Sequence, residues 1–484
     1  MTFSGGKPAA AAVPASRLEG AGLGASFFLS EWNGRRPGER RSVARARALA
    51  DTLGLLGQAR PVLSIVGSKG KGTAAVYASA CLAAAGLRVV TVTSPGYRRA
   101  EERIRLDGRA VSAAVLFDLG ERLRAARDQA AGTAPAGPHA AERAGAGPAA
   151  AEPAGAERAA AEHAAAERAA AERAAADRAA ANRAAAGGYL APAGLFTLAG
   201  VLHAQDVAAD VIVLEAGMGG ASDEISLFAP TVAALTPIFA EHVGKLGDTP
   251  AEIAREKAGI VAPRTRAVLT TWQTADVEHE IVTTVKQRSA GQLRVEVVDP
   301  GRTAVAPSLL PAGLSAYNAE LGCAAAWRLL DVLGHEPRTY PRTAAVLGTI
   351  RLPGRLSRHE LPGSRTELIV DSAINRAGIA AALAAAARWW SRIDHVLLCL
   401  PDHKDVSGAI AELAGPPVTF VRLPDDRLRF AHPLPADWTV IDAAHLSRDL
   451  VAGLGRRVIA LGPVYFTGRV LDLVDADTDS LFAC

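Results

Sequence analysis

The sequence Val62-Leu-Ser-Ile-Val66, followed directly by Gly67-Ser-Lys-Gly-Lys-Gly-Thr73, decides the fold of this chain. The first five residues predict a buried strand. The apolar pattern over residues 73–85, which Gly86 ends, predicts a helix. Phosphate loops form at glycine-rich turns between a strand and a helix, because backbone N–H groups converge there and the helix N-terminus favours negative charge. The sequence therefore predicts a phosphate-binding loop at residues 67–73.

Within this loop, Lys71 is placed to neutralise the outer phosphates of a nucleotide, and Thr73 to cap the helix or to face the phosphates. The alternative is a glycine turn that carries surface lysines. Two residues separate Gly67 from Gly70-Lys71, whereas a Walker A loop has four. The loop is therefore shorter than the common form, which narrows the families that it fits.

Strands and helices alternate around the loop in the order expected of a parallel α/β sheet. A helical pattern at residues 41–56 precedes the first strand, and a second strand is predicted at 88–93. Further strands are predicted at 211–214, 231–236 and 268–271, and helices at 250–260 and 316–333.

A composition break at Arg351-Leu-Pro-Gly-Arg355 precedes a second α/β set. Its predicted elements are strands at 367–370, 395–399, 418–421 and 458–461 and a helix at 378–390. We therefore predict an α/β fold with two domains: a phosphate-loop domain with a parallel-rich sheet over residues 19–350, and a smaller C-terminal Rossmann-like domain over 351–484.

Two stretches do not read as parts of a packed domain. Residues 1–18 are rich in Ala, Gly and Pro and predict a disordered lead-in. Residues 129–188 include repeated Glu-Arg-Ala-Ala-Ala units, and such a five-residue repeat rotates its charges by about 140° per unit on a helix. No constant apolar face results, so we predict a solvated helical or disordered insertion, with a functional charge run as the alternative.

Composition limits the partners and the compartment. The net charge is +3 in 484 residues, which gives no whole-chain argument for nucleic acid or membrane binding. No apolar stretch is long enough for a transmembrane helix. The four cysteines form no CxxC pair and read as buried hydrophobes of a reducing compartment. We expect a cytoplasmic protein, a monomer, with no nucleic acid or membrane partner.

Several motifs resemble one family. The short loop is similar to that of the Mur ligase superfamily, and later segments resemble its folylpolyglutamate and dihydrofolate synthases. The sharpest is His242 followed by Leu246-Gly-Asp-Thr-Pro-Ala-Glu-Ile-Ala-Arg-Glu-Lys257-Ala-Gly-Ile260. The others are Thr93-Ser-Pro95 with Glu102-Arg-Ile-Arg105, Val213-Leu-Glu-Ala-Gly-Met-Gly-Gly220 with Asp223, Pro353-Gly-Arg-Leu356, Asp371 with Asn375, Lys404-Asp-Val406, and Tyr465-Phe466 before Gly468. The chain is identified as a divergent member, with a Mur-ligase-like ATP-binding domain.

The resemblance implies an ATP-dependent amide ligase. In that family ATP phosphorylates a substrate carboxylate, and an amine then attacks the acyl phosphate. Phosphorylation matters because a carboxylate is a poor electrophile until it carries a good leaving group. The resemblance implies ATP and Mg²⁺ as cofactors, a folate or another small carboxylate as the acid, and an amino acid, glutamate first, as the amine.

The resemblance also implies roles for individual residues. The ATP phosphate loop corresponds to Gly67, Ser68, Lys69, Gly70, Lys71, Gly72 and Thr73, and the implied catalytic residues are Lys71, His242 and Lys257. The implied metal-site residues are Ser94, His242 and Lys257, the last as a carbamylated lysine. The implied nucleotide contacts are Asn318, Arg355 and Asp371, near the adenine, the phosphates and the ribose. Tyr97 and Arg99 are candidates for a pterin pocket.

The local sequence around Lys257 supports a fixed position without reference to any family. Thr249-Pro-Ala-Glu252 has the pattern of a capping box with proline at the first helical position. It predicts a helix that carries Lys257 about two turns from its start. An ordinary solvated helix lysine is the alternative, as an ordinary helix residue is for Asn318.

Five positions depart from the family pattern. Gly194 stands where the family has a magnesium-binding glutamate, which removes a ligand that magnesium prefers. Ile374 and Gly96 replace histidines, Pro237 replaces an asparagine, and Glu241 replaces an aspartate. Either Glu241 or Glu215 supplies the missing charge, or the enzyme is slower or inactive.

Three hypotheses remain open at the level of sequence. The first is an amide ligase acting on a folate-like or other carboxylate. The second is a nucleotide-binding pseudoenzyme or regulatory protein, which Gly194 and Ile374 favour and which the retained Lys71, Lys257 and His242 oppose. The third, a general P-loop NTPase acting on protein or nucleic acid, conflicts with the loop spacing.

Overall fold

The structure, a computed structural model, describes residues 26–36, 38–130, 187–335, 340–424 and 430–484. The predicted lead-in and residues 131–186 of the predicted insertion lie outside the described residues. The described part of the chain forms two sheets flanked by helices.

The first sheet has eight strands in the order β4-β3-β2-β5-β1-β6-β7-β8. The six strands β2, β5, β1, β6, β7 and β8 run parallel to one another, and β3 and β4 add an antiparallel edge. The central strands are buried throughout their length, as apolar runs in a sheet covered on both faces should be. The strands are β1 Val62–Val66, β2 Val89–Val92, β3 Ile104–Leu106, β4 Arg109–Ala110, β5 Val211–Glu215, β6 Val232–Leu235, β7 Ala267–Thr270 and β8 Val295–Val297.

Nine described helices cover this sheet. They are α1 Ser26–Asn33, α2 Val43–Thr52, α3 Lys71–Ala84, α4 Ala113–Ala130, α5 Pro192–Asp206, α6 Pro250–Ala258, α7 Ala275–Arg288, α8 Ser315–Val332 and α9 Tyr340–Leu347. Helices α3, α8 and α9 share the core on one face, and residues of α1, α2 and α4 to α7 build the core on the other. Helices α3 and α8 pack closely because Gly322 has no side chain: a Cβ there would lie 2.3 Å from the Ala74 carbonyl oxygen. The phosphate loop that begins α3 is thus held between the sheet and α8.

The second sheet has six strands in the order β13-β12-β11-β14-β10-β9, all parallel except the edge strand β9. Its strands are β9 Ser357–Glu360, β10 Glu367–Asp371, β11 His395–Leu398, β12 Val418–Arg422, β13 Thr439–Asp442 and β14 Arg457–Leu461. Its helices are α10 Arg376–Ala386, α11 Val406–Glu412, α12 Arg448–Gly453 and α13 Val464–Leu473.

The predicted fold class is confirmed, as are all the strands and helices that the sequence predicted. The boundaries differ by a few residues: α2 begins after its cap Ser42 and ends at Thr52, and α10 begins after its cap Asn375 and ends at Ala386. The sequence did not predict β3, β4, β8, β9 and β13, which are short; all of these except β3 lie at the edge of a sheet. The division into domains near residue 350 stays a prediction.

Three of the four cysteines are buried as predicted, and the fourth is not. Cys81, Cys323 and Cys399 are buried free thiols, and Cys484 is exposed. Among the helices that the structure describes, none combines the length and apolar character that crossing a bilayer requires.

Candidate active site

The loop between β1 and α3 needs glycine at two positions. Gly67 has φ +139° and Gly70 has φ +87°, both in the region that side chains rarely adopt. A Cβ at Gly67 would lie 2.0 Å from the Thr236 hydroxyl, and one at Gly70 would lie 2.1 Å from the Asn318 side chain. The loop therefore lies tightly between the end of β6 and helix α8, with the first N–H groups of α3 free of any side-chain cap.

Two lysines far apart in sequence meet on one oxygen of this loop. The Lys257 ammonium donates to the Gly67 carbonyl at 2.8 Å, and Lys71 donates to the same oxygen at 3.0 Å. Lys257 is 2% exposed, and burial, followed by the charge of Lys71, lowers its pKa to about 8. The predicted capping box is confirmed, since Thr249 and Glu252 bond reciprocally at the start of α6. The helix thus fixes Lys257 against the phosphate loop.

A third lysine, Lys69 of the phosphate loop, lies close to charged residues of the second sheet. Burial lowers the pKa of Lys69 to about 8, and the nearby cations Arg355 and Lys404 lower it further, whereas Glu241 opposes the shift. Lys404 lies in the turn between β11 and α11. Positive groups from both sheets therefore converge on the loop, with Glu241 as a nearby counter-charge.

A buried carboxylate lies on the other side of the loop. Glu215 ends β5, next to β1 in the sheet, and its Oε2 accepts the Ser94 amide at 3.0 Å. A Cβ at Gly72 would lie 3.5 Å from the same oxygen. Burial raises the pKa of Glu215, against the opposing charges of Lys71 and Arg355. Glu215 and the backbone of Ser94 are therefore joined beside the start of α3.

His242 lies near Glu241 and within the charged surroundings of Lys257, Lys404 and Lys71. Its φ of +55° is in the left-handed region, which is uncommon for a residue other than glycine. Its Nε2 is 3.9 Å from the Glu241 carboxylate. Burial lowers the pKa of His242, helped by the charges of Lys257, Lys404 and Lys71 and opposed by Glu241. The imidazole therefore favours its neutral form, which is the form that binds metals.

The predicted nucleotide residues also lie around the loop. Asn318 is buried on α8 beneath Gly70; its amide donates to the Leu314 carbonyl, and its Oδ1 has no partner in the structure. Asp371, at the end of β10, accepts the Leu356 amide at 2.8 Å. Burial raises the pKa of Asp371, and Arg355 opposes that shift. Tyr97, then Asp371 and Glu215, raise the pKa of Arg355.

Ser68 of the phosphate loop is hydrogen-bonded to the backbone of residues 237–239. Its amide donates to the Pro237 carbonyl at 2.9 Å, and its hydroxyl pairs with the Phe239 backbone at 3.3 Å in both directions. Ser68 therefore holds the phosphate loop to residues 237–239 with its N–H and hydroxyl, and the amides of the following residues remain for a phosphate.

Three departures from the family pattern have structural explanations. A Cβ at Gly194 would lie 2.5 Å from both Cγ and Cδ of Glu224, so the side chain of Glu224 fills the place of any residue at 194. Glu224 is fully buried beside Arg41, at 3.4 Å. A Cβ at Gly96 would lie 2.3 Å from the Arg99 carbonyl oxygen, which excludes a histidine there without a backbone change. Ile374 packs against the core of the second sheet.

The sequence did not single out Glu102, Arg105 and Arg41 for a role, although the first two stand in quoted motifs. A cavity of about 50 Å³ between the two sheets is lined by Ser94, Tyr97, Glu102, Arg105, Glu215, Arg355 and Leu481, among others. Glu102 is 1% and Arg105 2% exposed. The sequence shows only that charged residues stand close together here. It does not show that they are buried, because their burial depends on a segment far along the chain.

Comparison with known proteins supports the resemblance found in the motifs. No protein-family model matches the chain. Over 400 residues it is 25% identical to the dihydrofolate synthase/folylpolyglutamate synthase of Mycobacterium tuberculosis, covering 77% of this chain and 72% of that protein. Over 216 residues it is 31% identical to a probable bifunctional folylpolyglutamate synthase/dihydropteroate synthase of Halobacterium salinarum, covering 44% of this chain but only 20% of that protein.

Solved structures of similar fold cover almost the whole chain. The M. tuberculosis folylpolyglutamate synthase complexed with ADP has a TM-score of 0.69 and 21% identity over 94% of this chain and 99% of that chain. The apo form of L. casei FPGS has a TM-score of 0.68 and 19% identity, over 93% and 98%. The resemblance to the folylpolyglutamate synthase family, and the two-sheet fold that it implies, are confirmed.

Proposed function

We propose that this protein is an ATP-dependent acid–amino-acid ligase that forms ADP and joins glutamate to a folate-like carboxylate. The observation that carries the proposal is the convergence of Lys71 and Lys257 on the Gly67 carbonyl, beside the buried Glu215. Three ionisable groups from distant parts of the sequence meet where a strand, a glycine loop and a helix form an anion site. The names of the similar proteins supply the substrate class.

The reaction needs positive charge around the phosphoryl group that is transferred, and it needs the reacting groups to be held in position. The substrate carboxylate attacks the γ-phosphorus of ATP, ADP leaves, and the amine then attacks the acyl carbon and expels phosphate. Negative charge spreads over the transferring group, so positioning and electrostatic stabilisation supply most of the catalysis. Lys71 and Lys69 are placed to supply that charge, and the backbone amides of residues 70–73 to bind the phosphate oxygens.

The nucleotide's other parts fit the surrounding residues. Asn318 has a buried Oδ1 without a partner, which suits the amino group of adenine. Asp371 lies beside Arg355, and these two side chains suit a ribose hydroxyl and a phosphate respectively. Each of these three residues can therefore bind the nucleotide without a change in the backbone of the loop.

The residues also fit a magnesium ion. Mg²⁺ is bound in such sites by one or two carboxylates, waters and substrate phosphates. Among the described residues no three His, Cys, Asp or Glu side chains cluster to hold a metal by themselves. Ser94 and Glu215 would hold the ion, which would neutralise charge on the phosphates. Glu215 thereby supplies the carboxylate that Gly194 lacks.

Lys257 is suited to carbamylation. Its pKa of about 8 leaves roughly a tenth of the amine neutral at pH 7. The neutral nitrogen would attack the carbon of CO₂, forming an N–C bond and releasing one proton to solvent. The resulting carbamate would place an anionic oxygen ligand near His242, whose charge interacts with that of Lys257 in the structure.

The second sheet offers a cation for the incoming amino acid. Lys404 interacts with Lys69 and His242, and it also neighbours His403, next to which Lys245 contributes a further positive charge. An α-amino acid with two carboxylates needs such cations once its amine is neutral and free to attack. We therefore infer that Lys404 binds a carboxylate of glutamate.

The pseudoenzyme alternative predicts nucleotide binding without turnover. It gives no reason for Lys257 to remain buried with a lowered pKa, which costs stability. A cytoplasmic, monomeric protein remains part of the proposal, and light scattering on the purified protein tests the monomer.

The test is ADP formation by the purified protein with Mg²⁺-ATP, dihydropteroate or a folate, and glutamate. We expect ADP only when both the acid and the amine are present. Lys257→Ala should abolish it, whereas Lys286→Ala, an exposed helix lysine, should not. ATP binding without turnover, for every acid and amine tried, would favour the pseudoenzyme.

A further inference from the structure

After the last helix of the second sheet, the chain returns to the first sheet. Residues 477–482, here named the strap, run antiparallel to β4: the Ala110 amide donates to Asp479 at 2.8 Å, and the Leu481 amide donates to Gly108 at 3.0 Å. Leu481 and Phe482 are buried in the core beside α3. The strap therefore extends the edge of the sheet that carries the phosphate loop.

The strap reaches the candidate metal site through one buried carboxylate. Glu102 accepts the backbone amides of Tyr97 at 2.7 Å, Arg98 at 3.3 Å and Arg99 at 3.2 Å. Its remaining partner is the Thr478 hydroxyl in the strap, at 2.7 Å. Glu102 and Thr478 are each 1% exposed. Four donors thus fix one carboxylate, and three of them belong to the segment that follows Ser94.

A second buried group repeats the connection. The Arg105 guanidinium donates at 2.8 Å to the carbonyls of both Thr478 and Asp479. It lines the same cavity as Ser94, Glu215 and Leu481. Arg98 and Arg99 also bond the region around the strap, to Asp472 and Asp479 respectively. The strap therefore holds the segment of residues 94–99, here named the Ser94 segment, on one side.

On its other side, the same segment contacts the second sheet. A Cβ at Gly468 would lie 2.1 Å from the Tyr97 carbonyl oxygen, and one at Gly354 would lie 3.0 Å from the Tyr97 ring. The position of Ser94 against Glu215 therefore depends on the strap on one side and on α13 on the other. The Ser94 amide donates to Glu215 at 3.0 Å, so a shift of this segment would move Ser94 relative to the Glu215 carboxylate.

We propose that Thr478 is a positioning residue, which acts through Glu102 to hold Ser94 and Glu215 in the geometry that binds the metal–nucleotide complex. The inference rests on the proposed function, because it assigns the strap to that site. A purely structural clasp would also bond Glu102, but its loss would lower stability without changing metal affinity.

The test is a manganese titration followed by electron paramagnetic resonance, with a non-hydrolysable ATP analogue bound. Thr478→Val keeps the shape and removes the donor, and we expect manganese affinity to fall about fivefold, which corresponds to about 1 kcal/mol, the net contribution of an ordinary hydrogen bond. Thr478→Ser restores the donor and should bind manganese as the wild type does. Thr284→Val is the matched control, since Thr284 is a buried threonine that donates to Glu280 on α7, outside the cavity.

The outcomes separate the inference from the proposed function. Unchanged manganese affinity in Thr478→Val, whether or not its melting temperature falls, refutes the positioning role. Equal losses in Thr478→Val and Thr284→Val also refute it, because the effect would then follow general stability. If the wild type binds no manganese with the analogue, the proposed function fails, and the inference with it.

Discussion

Adding one methyl group at Gly194 should destabilise the protein or stabilise it, depending on a residue 30 positions away. A Cβ at 194 would lie 2.5 Å from Cγ and Cδ of Glu224, closer than carbon atoms approach in folded proteins. Arg41 and complete burial restrict the Glu224 side chain, so it cannot swing away. Gly194→Ala should therefore destabilise the wild type.

The magnitude follows from two opposing effects. Overpacking of this kind costs about 1–3 kcal/mol. Replacing glycine by alanine in a helix gains about 0.5–1 kcal/mol, because the unfolded chain loses freedom. The net loss in the wild type should be about 1 kcal/mol. In the Glu224→Ala background the overlap is gone, so the same change should gain about 0.5–1 kcal/mol.

The assay is thermal unfolding of the four proteins of this double-mutant cycle, read as melting temperatures. A change of about 1 kcal/mol corresponds to about 1 °C for a chain of this size. Gly200→Ala is the matched control on the same helix: its Cβ would lie 2.1 Å from Val92 and should lower the melting temperature in both backgrounds. An equal effect of Gly194→Ala in both backgrounds would refute the reasoning, since the two residues would then not share one space.

Three further predictions test the site and its charges. Lys257→Met should abolish ADP formation and raise the melting temperature at pH 7, because it removes a buried ammonium. The gain over the wild type should shrink from pH 8 to 10.5, because the pKa of Lys257 is about 8 in the native state and 10.5 when unfolded. In that range the native lysine is neutral while the unfolded lysine still carries its proton. Lys286→Met, on the surface, should change neither. Glu215→Gln keeps the acceptor for the Ser94 amide but removes the charge, so the magnesium concentration needed for half-maximal ADP formation should rise about tenfold; an unaltered titration would exclude Glu215 as a ligand. Burial lowers the pKa of His359 to about 4, so the unfolded state takes up its proton first and stability falls from pH 6.5 to 4; His359→Gln should reduce that fall in melting-temperature scans.

The sequence predicts the fold well wherever burial is uniform. Strand β1 is apolar and buried along its whole length, and the glycine loop after it has a steric requirement that the residue types reveal. Strands β9 and β13 are half-exposed and polar, so their pattern resembles that of loops. Only pairing with a neighbour makes them strands, and pairing is a tertiary property.

In the candidate site, too, the features that depend on neighbouring residues can be predicted from the sequence, and those that depend on distant residues cannot. The capping box predicts the position of Lys257 on its helix, because that relation spans a few residues. The sequence does not show that the Glu224 side chain occupies the space beside Gly194. That contact depends on where the short helical turn Glu224–Leu227 packs. The role of Glu215 against Ser94 likewise appears only when β5 and the loop after β2 meet at one edge of the sheet.

The charges around the phosphate loop explain why function rather than stability selects this arrangement. Burial shifts the pKa of Lys69 and Lys257 downward and that of Glu215 and Asp371 upward, so each group resists its own charged form. Apolar residues of similar volume would make a more stable core. Because water is excluded, the same groups act on a bound phosphate with little screening. The cost in folding free energy and the strength of the site thus have one physical origin, which is why Lys257→Met should exchange one for the other.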